Sequence, residues 1–239
     1  MQYTLTTSAD GSNTLQLTQF GEAYHSTNGA FTEAMHIYIK TGVEHMMATR
    51  QPLCINIFDV GFGTALNCIL LFAWQQQLRQ KGLPYPRIIY YGIEKYPIQP
   101  SEAEQLNYPK IIAQNFNPLP DNLTEVFLLM HNCQWEKDTE IGMDFILHKS
   151  CADIACIDAE YYRGAQNSVI FYDTFSPATQ PELWDEAIFR NIATGCAPGS
   201  ILVTYCSKGT VKQALRNAGF TLERLAGPPG KRHILRGTL

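Results

Sequence analysis

Two glycines and an asparagine follow an apolar run in the segment IFDVGFGTALN, residues 57–67. Gly61 and Gly63 permit a sharp turn and let the backbone approach a ligand with no Cβ in the way. The segment therefore makes either a tight structural turn or a cradle for a nucleotide-like ligand. Leu66 stands where the dinucleotide-binding pattern GxGxxG has its third glycine, so a nucleoside without phosphates fits better than NAD.

Acidic residues follow two further apolar runs. Glu94 ends RIIYYGIEK, 31 residues after Gly63, and Asp173 follows SVIFY. Glu94 can accept hydrogen bonds from both hydroxyls of a ribose, although a solvated Glu94–Lys95 tip is the simpler alternative. Asp173 and the aromatic Phe175 are predicted to form a small amine pocket, unless the acid only caps a helix or loop. Together these residues favour S-adenosylmethionine, whose amino-acid end can rest on the glycine loop.

The elements that must position these residues alternate along the chain. Buried strands are predicted at CINIFDV, RIIYYGIEK, MDFILHKS, SVIFYDTF and SILVTYC, with helices at TALNCILLFAWQQQLRQKG, SEAEQL, PELWDEAIFRNIATGC and TVKQALRNAG. Ser101 is the predicted N-cap of SEAEQL. This alternation indicates an α/β fold with a mostly parallel sheet, whose strands end at one edge. FTLERL and KRHILRGTL flank AGPPG and predict a C-terminal antiparallel hairpin.

The first 50 residues are predicted to form a small β/helical extension. TLQLTQFGEAYHS alternates apolar and polar residues, which is typical of a hairpin or paired strand. A helix is expected from about Phe31, with a shared buried side formed by Ala30, Ala34, Ile37 and Val43. We therefore predict an extension over residues 1–50 that packs on a main domain over residues 51–239.

Composition and charge narrow the functional classes. The chain has 239 residues, of which 45% are hydrophobic and 17% charged, enough for a sizeable core. No apolar run reaches the ~20 residues of a membrane span, and the N-terminus lacks a signal-peptide pattern, so we expect a cytoplasmic protein with no membrane partner. Seven cysteines without a CxxC pair and six histidines without ligand spacing argue against a disulfide framework and a metal site.

The charge is distributed unevenly. Net charge is −4, yet residues 208–239 carry seven Lys or Arg and one acid. This segment predicts either a positive face that attracts phosphates or an ordinary solvated surface. The candidate phosphate contacts in this segment are Lys208, Lys212, Arg216, Lys231, Arg232 and Arg236, the first three of which recur every four residues along one helical face.

The chain resembles the methyltransferase domain of the MnmC-like tRNA-modifying enzymes. The resemblance rests on GFGTALN, IEK, DTFSPATQPELW, GKRHILRG and the N-terminal QFGEAYHSTNGAFTEAMHIYI, which occur in the right order over nearly the whole chain. It implies a Rossmann-like class I fold and methyl transfer from S-adenosylmethionine to the aminomethyl group of the tRNA wobble uridine. The length implies a stand-alone methyltransferase without the oxidase domain, which depends on other enzymes to make the aminomethyl precursor.

The resemblance also assigns roles to individual residues. Gly61, Gly63 and Asn67 belong to the cofactor loop, Glu94 to the ribose, and Asp173 to the place where methyl donor and amine meet. Two positions depart from the family pattern. Ala65 replaces a glycine, which costs little if that position is helical, and Ser150-Cys151 replaces Gly-Asp. Adenine recognition is then expected from the backbone near Cys151 or from Asp153.

Substrate contacts are less specific. Tyr24, like Tyr161 and Tyr162, can stack on an extruded base, although tyrosines at such positions more often pack in a core or on a surface. Alternative functions are a class I methyltransferase for another RNA or a small-molecule amine, an NAD-dependent oxidoreductase on a related sheet, and a binding module without catalysis. Asp173 is the single candidate for a catalytic residue.

Overall fold

A computed structural model describes residues 3–18 and 21–239. The predicted alternating segment at residues 14–26 includes Gln19 and Phe20, which lie outside the described residues. The strands are β1 Tyr3–Thr7, β2 Asn13–Leu17, β3 Cys54–Val60, β4 Arg87–Glu94, β5 Thr139–Gly142, β6 Phe145–Cys151, β7 Ser168–Tyr172, β8 Ile201–Thr204, β9 Thr221–Ala226 and β10 His233–Thr238.

The helices pack on both faces of the larger sheet. The first, α1, spans residues 30–50 in three consecutive segments, Ala30–Ala34, Met35–Glu44 and His45–Arg50, and the middle segment has the wider π geometry. The others are α2 Leu66–Gln80, α3 Pro100–Ala103, α4 Tyr108–Asn115, α5 Leu123–Asn132, α6 Glu186–Gly195 and α7 Gly209–Asn217. Short 3-10 turns cover Ile154–Cys156, Ala159–Tyr162 and Pro181–Trp184.

The sheet has eight strands in the order β5-β6-β4-β3-β7-β8-β10-β9. The central neighbours β6, β4, β3, β7 and β8 are parallel, whereas β5 and the β9–β10 hairpin pair antiparallel. A separate antiparallel pair joins β1 to β2. The α/β fold with a mostly parallel sheet and a C-terminal hairpin is thereby confirmed. The strand order reverses at β3, and sheets of this kind bind ligands at the carboxyl ends of the strands beside such a switch.

Strand β3 lies in the middle of the sheet and is buried on both faces. Ile55 and Ile57 belong to the apolar layer formed with α1 and α2, while Phe58 and Val60 belong to the layer formed with α6 and α7. The two layers follow from the alternation of side chains along a strand. Burial on both faces explains the nearly continuous apolar run in the sequence.

The N-terminal helix contributes directly to the first apolar layer. Ala30, Ala34, Ile37 and Val43 are all buried in it, as their spacing predicts. Gly42 lies so close to the sheet that a Cβ there would be 3.1 Å from Cγ1 of Val169. The division into an extension over residues 1–50 and a domain over residues 51–239 stays a prediction.

Local details differ from the sequence expectations where backbone capping decides them. The N-cap of α3 is Gln99, which forms a capping box with Glu102, so the assignment of Ser101 is wrong. The predicted helix PELWDEAIFRNIATGC is divided, because Asp185 leaves the helical conformation and caps α6 by accepting a hydrogen bond from Ala187 N–H. The antiparallel edge strand β5 was not predicted. Its four residues are too few for a periodic signal.

The packing of α6 against the turn at Ala159–Tyr162 can be tested at Gly195, the last residue of the helix. A Cβ at Gly195 would overlap the carbonyl oxygen of Ala159, whereas a Cβ at Gly209 would meet open space. We expect Gly195→Ala to lower the free energy of unfolding by about 2 kcal/mol, because backbone on both sides must move. Gly209→Ala is the matched control and is expected to change it by less than about 0.5 kcal/mol in urea denaturation. Equal stability of the two variants would contradict this packing.

Candidate active site

The carboxyl ends of β3, β4 and β7 are tied together by backbone hydrogen bonds. Asp173 N–H donates to the carbonyl of Val60 at 3.0 Å, and Gly61 N–H donates to the carbonyl of Ile93 at 3.1 Å. Ala152 N–H donates to the carbonyl of Glu94 at 3.1 Å and adds the end of β6. The loops that follow four parallel strands therefore open into one common cleft.

This cleft has a cavity volume of about 220 Å³. Seven of the site residues expected from the sequence line it, namely Tyr24, Gly61, Gly63, Glu94, Asp153, Asp173 and Phe175. Asn67 lies behind its wall, buried, with a hydrogen bond to Asp173. Cys151 does not line the cleft. The convergence expected of the strand ends is present in the structure, while the roles of the individual residues stay predictions.

The glycine loop has the geometry of a close cradle. Gly61 has φ +98°, and a Cβ there would lie 2.6 Å from the carbonyl oxygen of Asp173. Gly63 has φ +50° and lies against the ring of Tyr24. Ala65 has φ 59° and precedes α2, so the expectation of a helical position is wrong and alanine is strained there by roughly 1–2 kcal/mol. The loop is nevertheless closed by the hydrogen bond from Ala65 N–H to the carbonyl of Phe62.

Glu94 fixes the loop on one side of the cleft. Its Oε2 accepts from Gly63 N–H at 2.9 Å, and its Oε1 accepts from Tyr96 N–H at 2.8 Å. A carboxylate has about four acceptor positions, so two remain for the hydroxyls of a ribose. Burial raises the pKa of Glu94, while the backbone donors act in the opposite direction.

The loop after β6 forms the far end of the cleft. Asp153 pairs with Lys95 at 2.6 Å and accepts from Ala155 N–H at 3.0 Å, and Lys95 holds the pKa of Asp153 below its usual range. Cys151 is exposed, and its N–H donates to Glu136 at 2.7 Å, which occupies the backbone donor that an adenine would otherwise need. Of the two expected adenine contacts, the structure brings Asp153 to the cleft and directs Cys151 away from it.

Asp173 lies where the cleft meets α1 and the glycine loop. Asn67 Nδ2 donates to Asp173 Oδ2 at 2.9 Å. Burial raises the pKa of Asp173 to about 6. Tyr38 faces this carboxyl from the π-helical segment and opposes the rise in its pKa. Among the described residues, the Tyr38 hydroxyl has no partner that satisfies hydrogen-bond geometry. A carboxylate with this pKa is ionised at neutral pH and can orient an amine.

Aromatic rings form the wall beside Asp173. Tyr24 and Phe175 meet edge to face, with ring centroids 5.1 Å apart. Trp184 Nε1 donates to the carbonyl of Phe175 at 2.9 Å, and the Tyr205 hydroxyl donates to the carbonyl of Thr174 at 2.9 Å. The backbone that follows Asp173 is therefore held in place by two aromatic side chains.

The basic residues of the C-terminal segment divide into two groups. Lys231 pairs with Glu33 at 2.5 Å and lies over the ring of Tyr205, and Arg236 makes two 3.0 Å contacts with Glu223. Within residues 3–18 and 21–239, the five others make no ion pair: Lys208, Lys212, Arg216, Arg224 and Arg232. Lys208 and Arg232 are exposed at the carboxyl edge of the sheet, whereas Arg216 lies at the opposite end of α7.

Several residues near the cleft carried no recognisable signal in the sequence. Glu22 accepts from Ser176 N–H at 3.0 Å and from the Ser176 and Thr179 hydroxyls, and thereby holds the loop that follows Asp173. His25 is bonded to Thr64 at 2.6 Å, and burial lowers its pKa to about 4. These side chains come from segments that are distant in sequence, so spacing along the chain does not reveal them.

Two further observations concern the part of the chain that is described. No group of three or more His, Cys, Asp or Glu there has the arrangement of a metal site. Among the helices described, none combines the length and apolar character that crossing a membrane requires.

Comparison with known proteins identifies the class of this site. Residues 119–239 match the model of a family described as S-adenosyl-L-methionine-dependent methyltransferase. The sheet has the class I methyltransferase fold. The chain belongs to this S-adenosyl-L-methionine-dependent methyltransferase family, and S-adenosylmethionine is its cofactor.

Curated relatives are named tRNA 5-methylaminomethyl-2-thiouridine biosynthesis bifunctional protein MnmC. The protein of Stutzerimonas stutzeri is 29% identical over 94% of this chain and 33% of its own length. That of Pseudomonas aeruginosa is 29% identical over 92% of this chain and 32% of its own length. The chain thus spans about a third of these relatives. The crystal structure of MnmC2 from Aquifex aeolicus has the same fold, with a TM-score of 0.73 and 23% identity over 100% of this chain and 70% of that one. The resemblance inferred from the motifs is confirmed.

The residues present fit the cofactor. Gly61 makes its turn against the carbonyl of Asp173 with no room for a Cβ, and Glu94 keeps free acceptor positions beside the loop. We expect Gly61→Ala to weaken S-adenosylmethionine binding at least tenfold in calorimetry, because the new Cβ displaces the loop from Asp173. Gly82→Ala is the matched control, since Gly82 also has positive φ but no atom within 4 Å. Unchanged affinity in Gly61→Ala would mean that the loop does not hold the cofactor.

Proposed function

We propose that this protein methylates the aminomethyl group of a tRNA wobble uridine, converting 5-aminomethyl-2-thiouridine into 5-methylaminomethyl-2-thiouridine. The observation that carries the proposal is the Asp173 carboxylate at the end of the cofactor cleft, beside an aromatic wall. An amine is the nucleophile that such an acid can orient. The relatives named for tRNA 5-methylaminomethyl-2-thiouridine biosynthesis support the choice of amine.

Each end of the cofactor has residues of matching chemistry. The loop at Gly61 and Gly63 would hold the amino-acid end, Glu94 the ribose, and the segment at Asp153 the adenine. S-adenosylmethionine, when bound, supplies a methyl group on a sulfonium sulfur that departs as a neutral thioether when the amine nitrogen attacks. Methyl transfer therefore needs a neutral amine whose lone pair is directed at the methyl carbon. The family match favours this chemistry over nicotinamide-dependent hydride transfer.

Asp173 meets that need by position and charge. The carboxylate accepts a hydrogen bond from the amine and thereby directs its lone pair towards the cleft. As the nitrogen gains its fourth bond it becomes positive, and the negative carboxylate stabilises that charge. Asn67 holds the carboxylate from behind, and the Tyr24 and Phe175 rings line the same cleft. Positioning of this kind supplies several kcal/mol of the barrier reduction.

Two exposed basic residues suit a tRNA partner. Lys208 precedes α7 and Arg232 lies in the β9–β10 turn, both at the edge of the sheet where the cleft opens. Lysine and arginine neutralise phosphates and release counterions, which makes the affinity dependent on salt. Lys231 and Arg236 have internal acidic partners and are assigned structural roles instead. The tRNA must reach the enzyme with its aminomethyl group already made, so enzymes that produce this precursor are the further partners.

The proposal is tested by incubating the protein with labelled S-adenosylmethionine and tRNA from a strain that lacks this gene. Nucleoside analysis should find the label in 5-methylaminomethyl-2-thiouridine. The double variant Lys208→Glu, Arg232→Glu should raise the KM for tRNA at least tenfold and reduce the salt slope by about two, while leaving S-adenosylmethionine affinity unchanged. The matched control is Lys81→Glu, Arg87→Glu, which makes the same charge change at the opposite edge of the sheet.

Each arm of this experiment separates the proposal from an alternative. Label in free small amines but not in tRNA would assign the chemistry to a small-molecule substrate. Label in a different RNA nucleoside would mean that the substrate is another RNA position. Cofactor binding without any transfer would indicate a binding module. An equal effect of both double variants on KM would contradict a tRNA surface at the cleft edge.

The pH dependence tests the role of Asp173. Because the ionised carboxylate is the active form and its pKa in the free protein is about 6, kcat/KM should rise with pH through about 6. Asp173→Asn should lose this acidic limb and lower kcat by about 100-fold, with little change in S-adenosylmethionine affinity. Single-turnover rates across pH 5–8 measure both effects. A limb that persists in the variant would arise from another group.

A further inference from the structure

Two segments that are far apart in the sequence both line the cleft. The N-terminal segment contributes Leu17 and Tyr24, and the loop that follows β7 contributes Thr174, Phe175 and Thr179. The two segments meet where the Tyr24 and Phe175 rings pack edge to face. A contact between two rings restrains no polar group of the backbone, so the loop needs a further connection to keep its conformation.

Glu22 provides that connection through hydrogen bonds. Its Oε1 accepts from Ser176 N–H at 3.0 Å, and its Oε2 accepts from the Ser176 hydroxyl at 3.3 Å and from the Thr179 hydroxyl. All three donors belong to the loop, and the acceptor belongs to the N-terminal segment. Because hydrogen bonds to a carboxylate are stronger than those between neutral groups, this is the main polar link between the two parts of the cleft lining.

The backbone on either side of Glu22 is itself fixed. The Glu22 carbonyl accepts from Leu17 N–H at 2.9 Å, and Tyr24 N–H donates to the carbonyl of Leu15 at 2.9 Å. Leu15 and Leu17 belong to β2, and both are buried. The carboxylate therefore extends from a part of the chain that is held against the core.

The part of the loop that Glu22 holds is a compact turn. Thr179 N–H and Gln180 N–H both donate to the carbonyl of Ser176 at 2.9 Å. Glu22 binds the first residue of this turn through its N–H and the fourth through its hydroxyl. The turn is thus held at both ends by one side chain and can move only as a unit.

The other side chains that hold this loop act closer to β7. Trp184 Nε1 donates to the carbonyl of Phe175, and the Tyr205 hydroxyl donates to the carbonyl of Thr174. Both of these contacts lie before the turn. Glu22 is therefore the side chain that determines where the loop runs after Phe175.

We propose that Glu22 is a positioning residue for methyl transfer, because it holds the Ser176 turn and so fixes the Phe175 ring beside Asp173. A displaced turn would move this ring, which lines the cleft next to the carboxylate that orients the amine. The glycine loop and Glu94 follow other strands and do not depend on Glu22. The inference rests on the proposed function of Asp173.

Amide hydrogen exchange tests the contact in the protein alone. In Glu22→Ala the Ser176 amide should exchange about tenfold faster or more, because its acceptor has been removed. The Asp173 amide donates to the carbonyl of Val60 and should keep its wild-type rate. Unchanged exchange at Ser176, or equal acceleration at both amides, would overturn the proposal. Since this measurement needs neither tRNA nor cofactor, its failure is distinct from failure of the proposed function.

Kinetics test whether Glu22 acts on the amine side of the cleft. Glu22→Ala should lower kcat by about tenfold, while the KM for tRNA and the affinity for S-adenosylmethionine change less than about threefold. Glu22→Gln keeps an acceptor for Ser176 N–H and offers an N–H to the Thr179 hydroxyl, so it should recover kcat to within about threefold of wild type. The control Glu125→Ala removes an exposed acid from the first turn of α5 and should behave as wild type.

The opposite results would overturn the proposal. They are a wild-type kcat in Glu22→Ala, a Glu22→Gln variant as slow as Glu22→Ala, or a loss of S-adenosylmethionine affinity as large as the loss of kcat. If Glu22→Ala fails to fold, the double variant Ser176→Ala, Thr179→Val removes the two hydroxyl donors instead. It should lower kcat by about threefold or more at unchanged S-adenosylmethionine affinity, and a wild-type kcat there would contradict a positioning role for Glu22.

Discussion

The hydrogen bond from Asp173 N–H to the carbonyl of Val60 is the interaction on which the site depends. It sets the register in which β7 leaves the sheet beside β3, and so determines that an acid emerges against the glycine loop. The carbonyl oxygen of Asp173 in turn lies against Gly61 and leaves no space for a Cβ there. The contact between two backbone segments, rather than any single side chain, joins the cofactor cradle to the acid that faces the amine.

The same edge of the sheet concentrates three carboxyl groups, and burial raises the pKa of each. Asp59 is enclosed, Glu94 is held by two backbone N–H groups, and Asp173 is held by an amide. The three acids lie close together, yet each is held by different hydrogen-bond donors. A cofactor that carries a sulfonium charge and an amine that becomes positive are the ligands for which such an edge is suited.

Sequence reasoning succeeded where the sheet itself imposes the geometry. Parallel strands end at one edge, so Glu94 and Asp173 could be brought together from the order of the apolar runs alone. Sequence reasoning failed where the local backbone conformation determines the role of a residue. Ala65 adopts a left-handed conformation instead of a helical one, and Cys151 uses its N–H on Glu136. The sequence analysis did not single out Tyr38, because π geometry has no sequence period from which the direction of its side chain can be read.

The ion pair between Lys231 and Glu33 joins residues 198 positions apart, and α1 packs on β7, β8 and β10, which follow it by more than a hundred residues. Contacts of such long sequence separation form slowly, because the intervening chain must first be ordered. During synthesis on the ribosome, the apolar side of α1 therefore cannot be buried until β7, β8 and β10 have been made. Until those strands form, the apolar side of α1 stays exposed and is open to association with other apolar surfaces.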